Sequence, residues 1–199
     1  MAVGVDIGCG MTAIRMKGIK KHQLANNLPL MRKIQNGLKA KIPVGFNSHD
    51  TLPPDAYKTI HGIPRNAAHC NPSNWLHRYI QSDQIIPLQL GTLGGGNHFI
   101  EVLHEDLNDL QFSPTQHREK QKRSKSKFDG NEESDVWLML HSGSRRIGNH
   151  TAQFWEDVGK QKYTRSGRDP LHWLPIESRD GSNYINDMNW CQQYAYKNR

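Results

Sequence analysis

A carboxylate and a thiol three residues apart open the chemistry of this chain: Asp6 and Cys9 stand in the glycine-punctuated stretch Gly-Val-Asp-Ile-Gly-Cys-Gly-Met at residues 4–11. The glycines allow backbone angles that converge both side chains on one bend. A thiolate can bridge two divalent ions while the carboxylate serves one of them. Two later segments each place a histidine beside glycines: His98 in Gly-Thr-Leu-Gly-Gly-Gly-Asn-His-Phe-Ile-Glu-Val at 91–102, and His141 at the end of the apolar run 136–140. Together Asp6, Cys9, His98 and His141 form a candidate metal-binding set. The alternatives are local: a turn aspartate with a buried thiol, a hairpin turn before an edge strand, and a core histidine beside a capped helix.

Three consecutive glycines, Gly94–Gly96, pack nothing and cost conformational entropy, so they signal close backbone approach, positive φ or a phosphate over backbone N–H groups. Asn97 can donate to a phosphate oxygen, and an ionised Glu101 can accept from the N–H edge of a guanine. In His141-Ser142-Gly143-Ser144-Arg145, hydroxyls, a guanidinium and a helix start suit an oxyanion.

Those residues need elements to carry them. Short strands are expected at 2–7 and 11–17, folded about the Gly8–Gly10 bend, followed by a helix over 22–38 interrupted near Pro29. Residues 43–72, rich in Pro, Gly, Asn and His, read as loop. Asn71-Pro72-Ser73 starts a helix bearing Trp75, Leu76, Tyr79 and Ile80. Strands follow near 97–103 and 135–141, then a helix over 146–160 with Ile147, Thr151, Phe154 and Val158 on one face. Ser182 is the expected N-cap of a last helix running to the terminus. Trp75, Trp155 and Trp190 sit on apolar helical faces and read as core. The pattern is α+β.

The 199 residues suffice for one domain with a sizeable core. Mean hydropathy is −0.79. No stretch approaches the roughly 18 apolar residues of a membrane span, and none reads as a signal peptide, so a cytoplasmic location and no membrane partner are expected. Three widely spaced cysteines, Cys9, Cys70 and Cys191, make no disulfide framework. The net charge of +7 is local, because residues 118–127 hold six Lys/Arg against Glu119 alone. That run lies in a polar, core-free segment at 113–134 and reads as an inserted basic loop, either solvated or contacting phosphate.

Taken together, VGVDIGCGM, IPVG at 42–45, LGTLGGGNHFIEV, WLMLHSGSRRIGN and LPIESRDGSNYINDMNWCQQYAYKNR, in this order, resemble the RtcB family of RNA-splicing ligases. The resemblance implies a layered mixed α/β sandwich, here the central part of a single catalytic domain over 1–199. It also implies a GTP-dependent enzyme with two Mn2+ ions. Such an enzyme joins an RNA 3′-phosphate or 2′,3′-cyclic phosphate to a 5′-hydroxyl through a histidine–GMP intermediate, in tRNA splicing or RNA repair. By position, Asp6 and His98 match ligands of the first metal, His141 a ligand of the second, and Cys9 the ligand shared by both. Asn97, His98, Phe99, Ile100 and Glu101 match the guanylate-contacting stretch, with Glu101 reading the base. A further metal-binding histidine and the GMP-carrying histidine follow the last helix in the family and match no residue here. The catalytic residue is therefore unassigned, and the chain reads as a truncated piece of such a ligase lacking both ends, its own activity left open. Two rival readings are a metal-dependent phosphoesterase using the same four ligands to activate water, and a non-catalytic remnant binding RNA through residues 118–127.

Overall fold

The computed structural model describes residues 4–25, 27–63, 69–104, 134–163 and 172–199. They divide into two compact units, the first built from 1–12, 42–99 and 140–199, the second from 13–41 and 100–139. Helices and strands are mixed, as the α+β reading requires.

The second unit holds most of a three-stranded sheet in the order β1-β3-β2, with β1 Gly10–Lys20, β2 Phe99–His104 and β3 Asp135–Ser142. One long strand replaces the two expected around the Gly8–Gly10 bend: residues 5–8 turn, and the strand begins at Gly10. Ile7 did not extend a strand because it is drawn into the core of the first unit, 1% exposed. On β1, Arg15 and Lys20 both reach Asp135, at 3.1 and 2.8 Å. The expected helix over 22–38 is two helices, α1 Lys21–Leu24 and α2 Leu28–Lys41. Pro29 sits in the opening turn of α2, where a missing N–H costs nothing, and Asn27 Oδ1 accepts from Leu30 N at 3.2 Å.

The first unit carries the packed core. Residues 43–72, expected as loop, contain α3 Ala56–His61. Its Ala56 and Ile60 are buried together with Ile63. The spacing is helical but too brief to stand out among prolines and glycines. Ser73 caps α4 Asn74–Ser82 as its sequence context predicts, accepting from Leu76 N at 3.2 Å. A single turn, α5 Ile85–Leu88, follows. Two long helices, α6 Arg145–Lys162 and α7 Arg179–Asn198, pack against each other. Trp155 and Trp190 are buried as expected, and Trp75 packs at the core's margin.

The N-cap of α7 is Ser178 rather than Ser182. Ser178 Oγ accepts from Gly181 N at 3.0 Å, and Asp180 lies in the first turn, where a negative charge is favoured. Gly181 is buried inside the helix. Residues 105–133, which hold nearly all of the basic segment 113–134, lie outside the described residues. Ser134 at its end is buried, and its carbonyl accepts from Lys21 N at 3.0 Å. No helix among the described residues is long and apolar enough to cross a membrane.

Candidate metal centre

Three separate segments of the first unit bring the candidate ligands together. Asp6 and Cys9 sit at the ends of a turn closed by Cys9 N donating to Asp6 O at 3.2 Å. Its third residue, Gly8, has φ +76, the conformation this turn position demands. A Cβ on Gly8 would lie 2.8 Å from that of Ala195, so the turn lies directly on α7. Arg199, just past the end of α7, clamps the same turn by donating from Nη1 to Gly8 O at 2.6 Å and to Ser142 O at 2.8 Å.

Against this turn, His98 Nε2 lies 2.7 Å from Asp6 Oδ2 and 3.6 Å from Cys9 Sγ. His141 Nε2 lies 2.7 Å from Cys9 Sγ. The donor atoms of Asp6, Cys9 and His98 all fall within 4.8 Å of one another, and Cys9 is the atom that touches both histidines. His141 Nδ1 donates to Asn97 O at 3.0 Å, which leaves Nε2 as the lone-pair nitrogen facing Cys9. Metal-binding histidines are commonly oriented in this way. The His98 side chain is 6% exposed, and its Nδ1 has no partner among the described residues.

Partial burial, and then the hydrogen bond and charge of Asp6, push the Cys9 thiol up to about 11 against a weaker pull from Arg199. A bare thiolate is therefore disfavoured at neutral pH, and a divalent cation would supply the compensating charge and displace the proton. One carboxylate, one sulfur and two imidazoles suit a borderline-soft transition ion or zinc better than calcium or magnesium. The donor set fits such a cation.

The triple glycine has a physical reason that is only half legible beforehand. Gly94 has φ +101, and a Cβ there would overlap the Arg145 guanidinium and the His98 ring. Arg145, itself at φ +59, donates from Nε to Thr92 Oγ1 at 2.9 Å and from Nη2 to Gly45 O at 2.7 Å. It thus ties the 43–45 segment to the glycine loop beside His98. Asn97 is exposed, Phe99 lies edge-on to His141 at 5.4 Å between centroids, and Ile100 and exposed Glu101 lie on β2 in the second unit.

Several supporting residues escaped the sequence reading. Asn198 is 5% exposed. It donates to Thr92 O, Ser142 Oγ and Gly143 O at 3.0–3.1 Å and accepts from Gly91 N at 2.8 Å. Asp187 is fully buried and accepts from Ser73 N, Ser73 Oγ and Trp155 Nε1 at 2.7–2.9 Å. One signal was available for both: each is a polar residue on the apolar face of α7, in line with Cys191 and Tyr194.

Residues 1–199 match the family described as tRNA-splicing ligase RtcB. The chain is 29% identical over its whole length to the RNA-splicing ligase RtcB of Escherichia coli, of which it covers 43%. It is 29% identical, over 99% of its length, to the tRNA-splicing ligase RtcB of Archaeoglobus fulgidus, covering 42% of that protein. To RNA-splicing ligase RtcB homolog 1 of Entamoeba dispar it is 24% identical, over 99% of the chain and 38% of the relative. The chain thus spans about two fifths of the length of these curated relatives.

Proposed function

This chain belongs to the RtcB family of RNA-splicing ligases, and on that premise we propose that it carries the metal-binding portion of a GTP- and manganese-dependent RNA ligase. The reaction is the joining of an RNA 3′-phosphate or 2′,3′-cyclic phosphate to a 5′-hydroxyl, with GTP consumed through a histidine-linked guanylate. The observation that supports this best is the convergence of Asp6, Cys9, His98 and His141 from three separate stretches of the chain onto one sulfur-centred cluster.

In this reading Asp6 and His98 hold one Mn2+, His141 holds the second, and Cys9 is shared. Bound there, the ions supply Lewis-acid polarisation of phosphoryl oxygens. The chain's own residues do the rest. Cys9 gives up its proton when the site fills. His141 is kept in its ligating tautomer by the Asn97 carbonyl, and Arg145 holds the glycine loop against His98. Asn97, Phe99 and Ile100 contact the guanylate, and Glu101 accepts the N–H edge of the guanine. Manganese and the guanylate contacts are family features carried to these positions.

Electron paramagnetic resonance of a Mn2+ titration tests the centre. The expected result is two ions per chain, with Cys9→Ala weakening both by roughly a hundredfold or more, beyond what loss of an outer partner does. Undiminished binding by Cys9→Ala would remove Cys9 from the centre and with it this reading.

A further inference from the structure

Phe46 is entirely exposed, at 101%, yet the segment that carries it is held on several sides. Val44 bridges Gly94, Gly45 N donates to Gly94 O at 2.7 Å, and Asn47 N donates to Val44 O at 3.2 Å. Arg145 Nη2 fastens the same segment through Gly45 O. A ring on a slack loop can fold onto neighbouring apolar surface. This backbone presents the ring to solvent instead.

The ring borders an open cleft of about 650 Å3 within the first unit, and Asp6 and His98 line the same cleft. Helix α6 contributes Arg146, Asn149 and His150 to its wall. Arg146 is held by Nε alone, 3.2 Å from Asp83 Oδ2 and 3.4 Å from the Tyr79 hydroxyl. Tyr79 in turn shares a hydrogen bond with His150 and donates to Asp83 at 2.8 Å. This interlocked group fixes Arg146 while leaving its terminal amino groups without a protein hydrogen bond among the described contacts. The cleft therefore combines a cation-binding cluster, fixed guanidinium and amide donors, and one flat apolar face.

We propose that this cleft seats the terminal nucleotide of an RNA strand, with Phe46 stacking on its base and Arg146 and Asn149 taking backbone phosphate and ribose oxygens. The inference rests on the ligase reading and adds to it a residue that binds the RNA end. Stacking uses the π-face that every base presents, so the seat accepts all four bases with little preference. The guanidinium offers paired N–H donors to phosphate oxygens.

The test is fluorescence anisotropy, with Mn2+ present, of a labelled 3′-phosphorylated RNA tetranucleotide and of the same oligomer made abasic at its terminal nucleotide. The parent chain should bind the base-bearing oligomer on the order of tenfold or more tightly, the scale of one stacked base. Phe46→Ala should abolish that preference, Phe46→Trp should keep it, and Arg146→Ala should weaken both oligomers equally. Because the Phe46 ring is wholly exposed, Phe46→Ala leaves the core untouched. If the parent chain binds both oligomers equally, or if the preference survives in Phe46→Ala, the nucleotide seat is wrong and the ligase reading stands. If the parent chain binds neither oligomer, the ligase reading falls and takes this inference with it.

Discussion

The first unit contains every buried apolar side chain among the described residues except Val136; both units also expose apolar side chains, but the second has almost no buried ones beside its Ile14, Leu28, Met31 and Val102. Charge divides along the same line. The described residues of the first unit carry nine Lys/Arg and nine Asp/Glu. Those of the second carry eight Lys/Arg against only Glu101 and Asp135, and Asp135 is already engaged by Arg15 and Lys20. Converging ligands need supports locked by packing, and the neutral, cored unit provides them. A surplus of cations acts at longer range, by attracting polyanions, and needs no core beneath it. The contrast teaches that proximity of ligands in this chain depends on the first unit's packing and hardly on that of the second.

The sharpest way to break the contrast is to remove the largest core side chain. Trp190 is 2% exposed within a cluster that includes Ile7, Leu76 and Tyr194. Trp190→Ala should cost about 3–5 kcal/mol in urea unfolding, from lost burial and the cavity left behind. A cost below about 1 kcal/mol, the ordinary scale of a point substitution, would show that stability resides elsewhere.

A somewhat smaller effect comes from pH. Burial pushes the Asp187 carboxyl up to about 6, outweighing the donors from Ser73 and Trp155. The folded chain therefore binds a proton that the unfolded chain, with an ordinary carboxylate near 3.8, has released. The stabilisation is fully present below about pH 4 and is lost as pH rises through about 6, a fall of about 3 kcal/mol. Urea melts between pH 4 and 7 measure it. Asp187→Asn should flatten this slope and lower stability at pH 4 by about 1–3 kcal/mol, through the acceptor it removes. An unchanged slope in Asp187→Asn would assign the titration to another group.

The smallest effect belongs to the second unit. Leu28 is 53% exposed on a helix with no buried residue. Leu28→Ser should change unfolding free energy by no more than about 0.5 kcal/mol. A loss comparable to that of Trp190→Ala would mean that this helix is covered in solution, and the contrast between the units would disappear.

Much of the framework was legible. The Ser73 cap, the β2 and β3 strands and the apolar faces of α6 and α7 follow from local periodicity and capping chemistry, which the chain encodes over a few residues. The misses share a cause. The stretch 2–7 reads as strand because its alternation is local, but Ile7 is claimed by a distant core. The α3 helix hides among turn residues because its stability comes from burying Ala56 and Ile60 rather than from its own propensity. At the α7 start the local sequence points to Ser182, whereas the helix begins a turn earlier at Ser178, with Gly181 packed inside it.

The sequence by itself determined which donors exist: a carboxylate and a thiol on one turn, two histidines beside glycines, and the motif order that places the chain in its family. Which atoms meet was decided by tertiary structure. Cys9 and His141 lie 132 residues apart, and Arg145 reaches Gly45 across 100. Propensity and periodicity act within a turn or a strand, whereas closing separations of this size costs chain entropy that only the assembled core can repay. Asn198 and Arg199 show the same dependence. The helical register marks Asn198 as a polar residue on an apolar face but not its partners, and once α7 is packed the two bind the glycine loop, the end of β3 and the Asp6–Cys9 turn together.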